Sequence, residues 1–165
     1  MKRVVTIGGG SGQYVLLSGL REVPFLEITA IVSTADSGGS SEVLRTERNA
    51  LPVGDLRRCL AALATTEDAD LRFFFLDEGR FGGDGSLAQH PLMNLMLVYG
   101  AEKDSGGMIG ALQRMERLLK VRGHVYPVTL AKVDLWAEFE NGEIVCGEHL
   151  IDKGEHTGTG RITRL

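Results

Sequence analysis

The sequence predicts an α/β protein: a Rossmann-like, mostly parallel sheet flanked by helices, with a β-hairpin near the C-terminus. Three observations lead there. The apolar run Val4 to Ile7 ends in the glycine cluster of "TIGGGSGQYVLLSGL", and apolar residues at helical spacing follow from Tyr14 to Leu20. A second apolar run, Ile28 to Thr34, ends in a second loop of the same kind, "DSGGSS". Further on, "AEFENGEIV" surrounds Asn141-Gly142, a pair suited to the positive φ of a tight hairpin turn.

Taken in order, Val4 to Ile7 is a short continuous apolar run bounded by glycine, the pattern of a strand buried on both faces of a parallel sheet. With the next helix and strand it makes a βαβ unit. In "LPVGDLRRCLAALATT", proline, glycine and aspartate precede Leu56, Leu60, Leu63 and Ala64, which places a helix start at Asp55. "LRFFFL" follows closely and reads as helix continuing that layer. "HPLMNLMLVYGA" puts Pro91 at a first helical position, with Leu92, Leu95, Met96 and Tyr99 spaced for one apolar face. A longer helix runs from Met108 to Val121, then "HVYPVT" and the hairpin; the polar tail "DKGEHTGTGRITRL" ends on the start of a strand. Phe73 to Phe75, Trp136 and the methionines read most simply as core.

Composition narrows the function classes. A chain of 165 residues fits one domain, 1–165, large enough for a real core. Its 22 glycines are nearly twice what an average usage of about 7% gives, and they fall in clusters, so they belong to specialised loops. A net charge of -4 and a pI near 5.6, with no basic stripe, leave no electrostatic footprint for nucleic acid. A small anionic ligand in a local pocket is compatible with that balance. Cys59 and Cys146 lie far apart, cannot form a metal cluster alone, and point to a reducing compartment. No apolar run reaches membrane-spanning length and "MKRVVTIGGG" lacks a signal-peptide core, so the expected location is cytoplasmic, without membrane insertion.

The chemistry is expected in the loops. A strand that ends in a glycine-rich turn opening a helix brings free backbone N–H groups and the positive helix end to one point, a geometry that binds phosphate. Gly8, Gly9, Gly10 and Gly12 permit a close backbone approach, and Ser11 adds a hydroxyl. A dinucleotide fingerprint would need glycine where Gln13 stands, and the lysine of a phosphate-binding Walker loop is absent. A tight strand-to-helix connection without ligand uses the same residues. The second loop repeats the design: Asp36 offers a carboxylate to a ribose hydroxyl, a cation or a proton, Gly38 and Gly39 free the backbone, and Ser40 and Ser41 supply hydroxyls. Two such loops on consecutive parallel strands would lie side by side at the carboxyl edge of the sheet, where open α/β folds bind ligands. Arg57 and Arg58, unfavourable in a first helical turn, suit a nearby anion, with Arg45 a weaker candidate. His90 and Asn94, one turn apart, serve either as site residues or as ordinary cap and core residues.

Four segments together, "TIGGGSG", "TADSGGSSEVLR", "PVGDLRRCLAAL" and "QHPLMNLML", resemble in order and spacing the YvcK-like gluconeogenesis factor family of the CofD-like superfamily, over essentially the whole chain. The resemblance implies a Rossmann-like fold with a nucleotide ligand at the carboxyl edge of the sheet. On the YvcK side it implies a dimeric regulatory protein that binds a UDP-sugar such as UDP-N-acetylglucosamine, requires no cofactor, and links gluconeogenic carbon supply to cell-wall synthesis and cell shape. On the CofD side it implies a magnesium-dependent transferase of a phospholactyl group, with Asp36 on the metal and His90 assisting proton transfer. Carried onto this chain, the site would comprise Gly8 to Gly12, Asp36, Ser37, Gly38, Gly39, Ser40, Ser41, Gly54, Asp55, Arg57, His90 and Asn94. The departures are Ser11 in the first turn, Ser37 in place of a second aspartate, Glu42 and Met93 in place of glycines, Arg58 in place of an asparagine, and Gln89 before His90. The loss of the second aspartate weakens the magnesium reading. Family members run to about twice this length, so the chain corresponds to an amino-terminal half, incomplete relative to the family.

Overall fold

A computed structural model describes residues 1–76, 79–154 and 156–165. Strand β1 (Lys2–Gly8) leads into helix α1 (Gly10–Glu22) and back to strand β2 (Leu26–Val32), which pairs with β1 in parallel from Lys2 against Leu26 to Gly8 against Val32. Helices α2 (Gly39–Arg48) and α3 (Gly54–Leu63) follow, then the single turn α4 (Ala69–Leu71) running into a π-helical turn, Arg72–Leu76. The helical reading of "LRFFFL" therefore holds, with the Asp68 carboxylate accepting the Asp70 and Leu71 N–H groups at its start. Helices α5 (Leu92–Lys103) and α6 (Gly107–Leu118) pack on each other, and β3 (His124–Pro127) joins the sheet in the order β1-β2-β3, parallel throughout. The chain closes with β4 (Trp136–Phe139), β5 (Ile144–Cys146), α7 (Glu148–Lys153) and β6 (Ile162–Arg164), a separate antiparallel sheet in the order β5-β4-β6.

Alternation along the parallel strands sends Ile28, Ala30, Val32 and Val125 to one face, where α1 and α3 cover them with Leu17, Leu56, Leu60 and Leu63, all fully buried. Leu56, Leu60, Leu63 and Ala64 are thus core, as their spacing predicts. The reading of β1 as buried on both faces is corrected: Val5 is 60% exposed and Ile7 80%. β1 is the end strand of the sheet, and only one of its faces is covered.

The apolar stripe expected on α5 is corrected too. Met93, Asn94, Leu97 and Val98 are buried, whereas Met96 and Tyr99 are exposed. Apolar residues occur around the whole circumference of this helix, so periodicity alone selects no face, and contacts with α2, α3 and α6 decide it. Pro91 sits one residue earlier than expected, at the N-cap. The hairpin turn also differs: only Gly142, at φ +81°, takes the left-handed conformation. Phe139 N–H donates to Glu143 O at 2.9 Å and Gly142 N–H to Phe139 O at 2.9 Å, a three-residue loop closed by a glycine, while the Asn141 side chain caps Glu143 N–H and Thr157 O. Phe73, Phe74 and Trp136 are exposed, against the expectation of core; Phe75 packs on the main core, and Met93, Met108 and Met115 lie within it. No described helix is long and apolar enough to cross a membrane.

Candidate functional site

The carboxyl ends of β1 and β2 open into two loops of the same construction. Gly9 and Gly38 are the extended N-cap residues of α1 and α2, and Gly10 and Gly39 begin those helices at φ +64° and +54°. That left-handed step favours glycine, and the space on the Cβ side of both residues is open: a Cβ on Gly10 or Gly39 would meet nothing within 4 Å. Neither helix has a side-chain cap. Gln13, the residue that breaks the dinucleotide fingerprint, is buried, and its Nε2 donates to Thr6 Oγ1 at 3.0 Å and to Ile31 O at 3.4 Å. It fastens α1 to the sheet where a third glycine would have allowed simple close packing.

The start of α3 wedges between the loops. A Cβ on Gly9 would come within 2.6 Å of Asp55 Oδ2, and one on Gly54 within 2.9 Å of Ser41 Oγ and 3.1 Å of Asp36 Oδ2. Glycine at both positions is what lets the β1 loop, the β2 loop and α3 close on one point. Between them lies a cavity of about 590 Å³, within the ordinary range for small-molecule sites. Its wall includes Gly9, Gly10, Asp36, Gly38, Gly39, Ser40, Ser41, Gly54, Asp55, Arg57 and Asn94 from the expected set. Gly8, Ser11, Gly12, Ser37 and His90 do not line it. Ser11 and Gly12 turn outward on the exposed side of α1. Ser37 bonds instead to α7: its Oγ lies 3.0 Å from His149 Nδ1 and accepts the His149 N–H at 3.2 Å. His90 is buried beside a separate hollow between α2 and α5.

Charge in the cavity is divided evenly. Asp36, Asp55 and Glu148 face it together with Arg57, Arg58 and Arg80. Asp36 Oδ1 accepts the Gly38 N–H at 3.0 Å, and Asp55 is held by the Gly10 N–H. Burial, reinforced by the Asp36 charge, pushes the Asp55 carboxyl above the ordinary carboxylate value against the pull of that N–H and of the arginines. Glu148 is raised in the same way, by burial first and then by the charges of Asp36, Asp152 and Asp55. Arg58 stands 3.8 Å from Asp55, one turn along α3, and Arg57 is buried in the wall. Arg45 is directed elsewhere, to an ion pair with Asp134. Asn94 Nδ2 donates to Ser40 Oγ at 3.0 Å, and its buried Oδ1 has no hydrogen-bond partner among the described residues.

Sequence reasoning missed Ser33, Ala35, Arg80, Leu135 and Glu148 as parts of this wall. Leu135 and Glu148 flank the small antiparallel sheet, more than eighty residues from the glycine loops, so only the fold brings them there. Among the described residues no set of three or more His, Cys, Asp or Glu side chains is arranged to hold a metal ion. Cys59 is fully buried, and burial first, then the charge of Asp55, pushes its thiol up to about 12.

Comparison with known proteins places these features in a family. The model of 2-phospho-L-lactate transferase CofD matches residues 4–165. The gluconeogenesis factor of Bacillus subtilis is 42% identical over 149 residues, covering 90% of this chain and 45% of that protein. The gluconeogenesis factor of Listeria monocytogenes is 41% identical over 155 residues, covering 93% and 47%. A crystal structure of a Bacillus halodurans protein superposes with a TM-score of 0.87 at 38% identity, over 99% of this chain and 50% of that one. The chain spans about half the length of the relatives it matches.

Proposed function

This chain belongs to the CofD family and is a homologue of the gluconeogenesis factors, and from that premise we propose that its glycine-loop cavity binds a nucleotide sugar, a UDP-sugar such as UDP-N-acetylglucosamine. The observation that carries the reading is the even division of charge in the cavity wall. A ligand of this class has two kinds of group to satisfy. Its diphosphate seeks the uncapped N-terminus of α2, the Gly9–Gly10 turn and Arg57, where positive partial and full charge converge. Its sugar and ribose hydroxyls seek acceptors, and Asp36 and Glu148 are acceptors. A plain phosphate would use only the first set, and a polyanion would be repelled by the second. The physiological role is then regulatory: the chain reports nucleotide-sugar supply during growth on gluconeogenic carbon, in connection with cell-wall synthesis and cell shape, from the cytoplasm.

A transferase reading is favoured by one observation, the name of the matching family model. Asp36→Ala separates the two. As a sugar-hydroxyl acceptor, Asp36 contributes a hydrogen bond to a charged group, and its loss weakens UDP-sugar binding about 10- to 100-fold while no magnesium-dependent product appears with either form. Unchanged affinity in the variant contradicts the assignment of Asp36. A phosphoryl-linked product formed with magnesium by the unaltered chain, and lost in the variant, replaces the sensor with the enzyme.

A further inference from the structure

We propose that the hollow between α2 and α5 is a second ligand site, one that takes a small ammonium compound with an apolar body, and that it is linked to the glycine-loop cavity through these two helices. Its volume is about 270 Å³, room for about nine non-hydrogen groups at the roughly 30 Å³ that a water occupies in the liquid. Leu44 from α2 and Leu95 and Val98 from α5 give it an apolar lining, and Leu87 beside them is 51% exposed. His90 stands in the same wall, 2% exposed, and its Nδ1 has no hydrogen-bond partner among the described residues. A buried polar group that the fold leaves unsatisfied is uncommon. The loop that brings Ser86 and Leu87 to the hollow is closed at its base: Phe81 N–H donates to His90 O at 3.1 Å and Gln89 N–H to Phe81 O at 2.8 Å.

The charge of the wall selects the ligand. Arg48 donates to Glu102 through Nε at 3.0 Å and Nη2 at 2.8 Å, a fork in which guanidinium and carboxylate satisfy each other. Glu47 makes no ion pair among the described residues, its charge reaching Arg48 from farther off, so two carboxylates stand against one guanidinium and the wall is net negative. A cation gains from Glu47, whereas an anion would have to open the Arg48–Glu102 fork. The same two helices wall the glycine-loop cavity, α2 with Ser40 and Ser41 and α5 with Asn94. Among the described residues two side-chain ties join them, Asn94 to Ser40 at the cavity and Arg48 to Glu102 at the hollow. A ligand seated between the helices bears on both ties, and coupling between sites needs such an element, one whose arrangement both sites bias.

The test follows the isotope-labelled chain by NMR at pH 7 and constant ionic strength while phenethylammonium, a cation of that size, is added, with phenethyl alcohol and hydrocinnamate as its neutral and anionic counterparts. The expected result is a saturable shift of the Leu44, Glu47, Leu87 and Val98 amides, with a Kd for the cation on the order of 1 mM, about 5-fold below that for the alcohol, and no saturation with the carboxylate. Glu47→Gln, at an exposed position, brings the cation to the affinity of the alcohol and leaves the alcohol unchanged. The Asn94 side-chain amide shifts with the same midpoint as the hollow. Equal affinities for cation and alcohol, a preference that survives Glu47→Gln, or no saturable shift at the hollow with any of the three overturns the site. An unmoved Asn94 amide beside saturated shifts in the hollow overturns the link. No nucleotide enters the titration, so its outcome is separate from the question of what the glycine-loop cavity binds.

Discussion

The parallel sheet and the antiparallel sheet of this molecule are held by very different means. Beneath β1, β2 and β3 lies one continuous core that runs from Leu17 through Leu56, Leu60 and Leu63 to Leu119. The antiparallel sheet has three buried apolar residues, Ala137, Phe139 and Val145, with Leu150 and Ile151 against them. It meets the rest of the molecule through polar contacts, the Ser37–His149 pair and the Arg45–Asp134 ion pair. Yet both regions wall the same cavity, the first with its glycine loops and the second with Leu135 and Glu148. The lesson is that one wall is rigid and the other is adjustable, since stability follows buried apolar contacts and low-contact regions open first.

Substitutions probe that difference, the largest expected effect coming from the core. Leu60→Ala removes a fully buried side chain from the main core and costs about 4 kcal/mol of global stability, read as a fall in the urea midpoint at unchanged slope. Phe139→Ala costs about 3 kcal/mol, but the loss appears only in local opening: amides of residues 136–146 exchange faster while those of β2 keep their rates. If the β2 amides accelerate equally, the two regions are one cooperative unit and the contrast fails.

Ser37→Ala removes both hydrogen bonds to His149, about 1 kcal/mol each, and leaves the main core untouched. The expected outcome is faster exchange in α7 with the midpoint of global unfolding nearly unchanged. The smallest effect belongs to pH. Because burial raises the Asp55 carboxyl, the folded chain holds that proton more tightly than the unfolded chain. The associated stability is complete below the ordinary carboxylate value near 4 and is lost as pH rises through the raised value. Asp55→Asn keeps an acceptor for the Gly10 N–H and removes the charge, so the variant is more stable at pH 7 and its stability falls less between pH 4 and 7. An unfolding series across that range in both forms checks the sign.

Much of this was legible in the residues. The glycine loops declare themselves because a left-handed step at Gly10 and Gly39 admits few other residues, and the α3 core spacing is regular. What stayed hidden depends on contacts between distant segments. Periodicity could not choose the buried side of α5, whose apolar residues lie all around it, and nothing local marks Asn94 as the buried partner of Ser40. The exposure of Val5 and Ile7 was invisible because a strand at a sheet edge and one at its centre share the same apolar pattern. Glu148 was missed since its place in the cavity is set by α7, which packs against β5 of the antiparallel sheet, and His90 stands one helical turn from Asn94 yet beside a different hollow.

The central claim, that the glycine-loop cavity takes a nucleotide sugar, is tested most directly by calorimetric titration of this chain with UDP-N-acetylglucosamine, and with GDP and NAD for comparison, each with and without magnesium. The expected result is a preference for the UDP-sugar that does not depend on the metal and that falls when Asp36 is replaced by alanine. A folded sample that binds none of the three, or that prefers GDP only when magnesium is present, contradicts it.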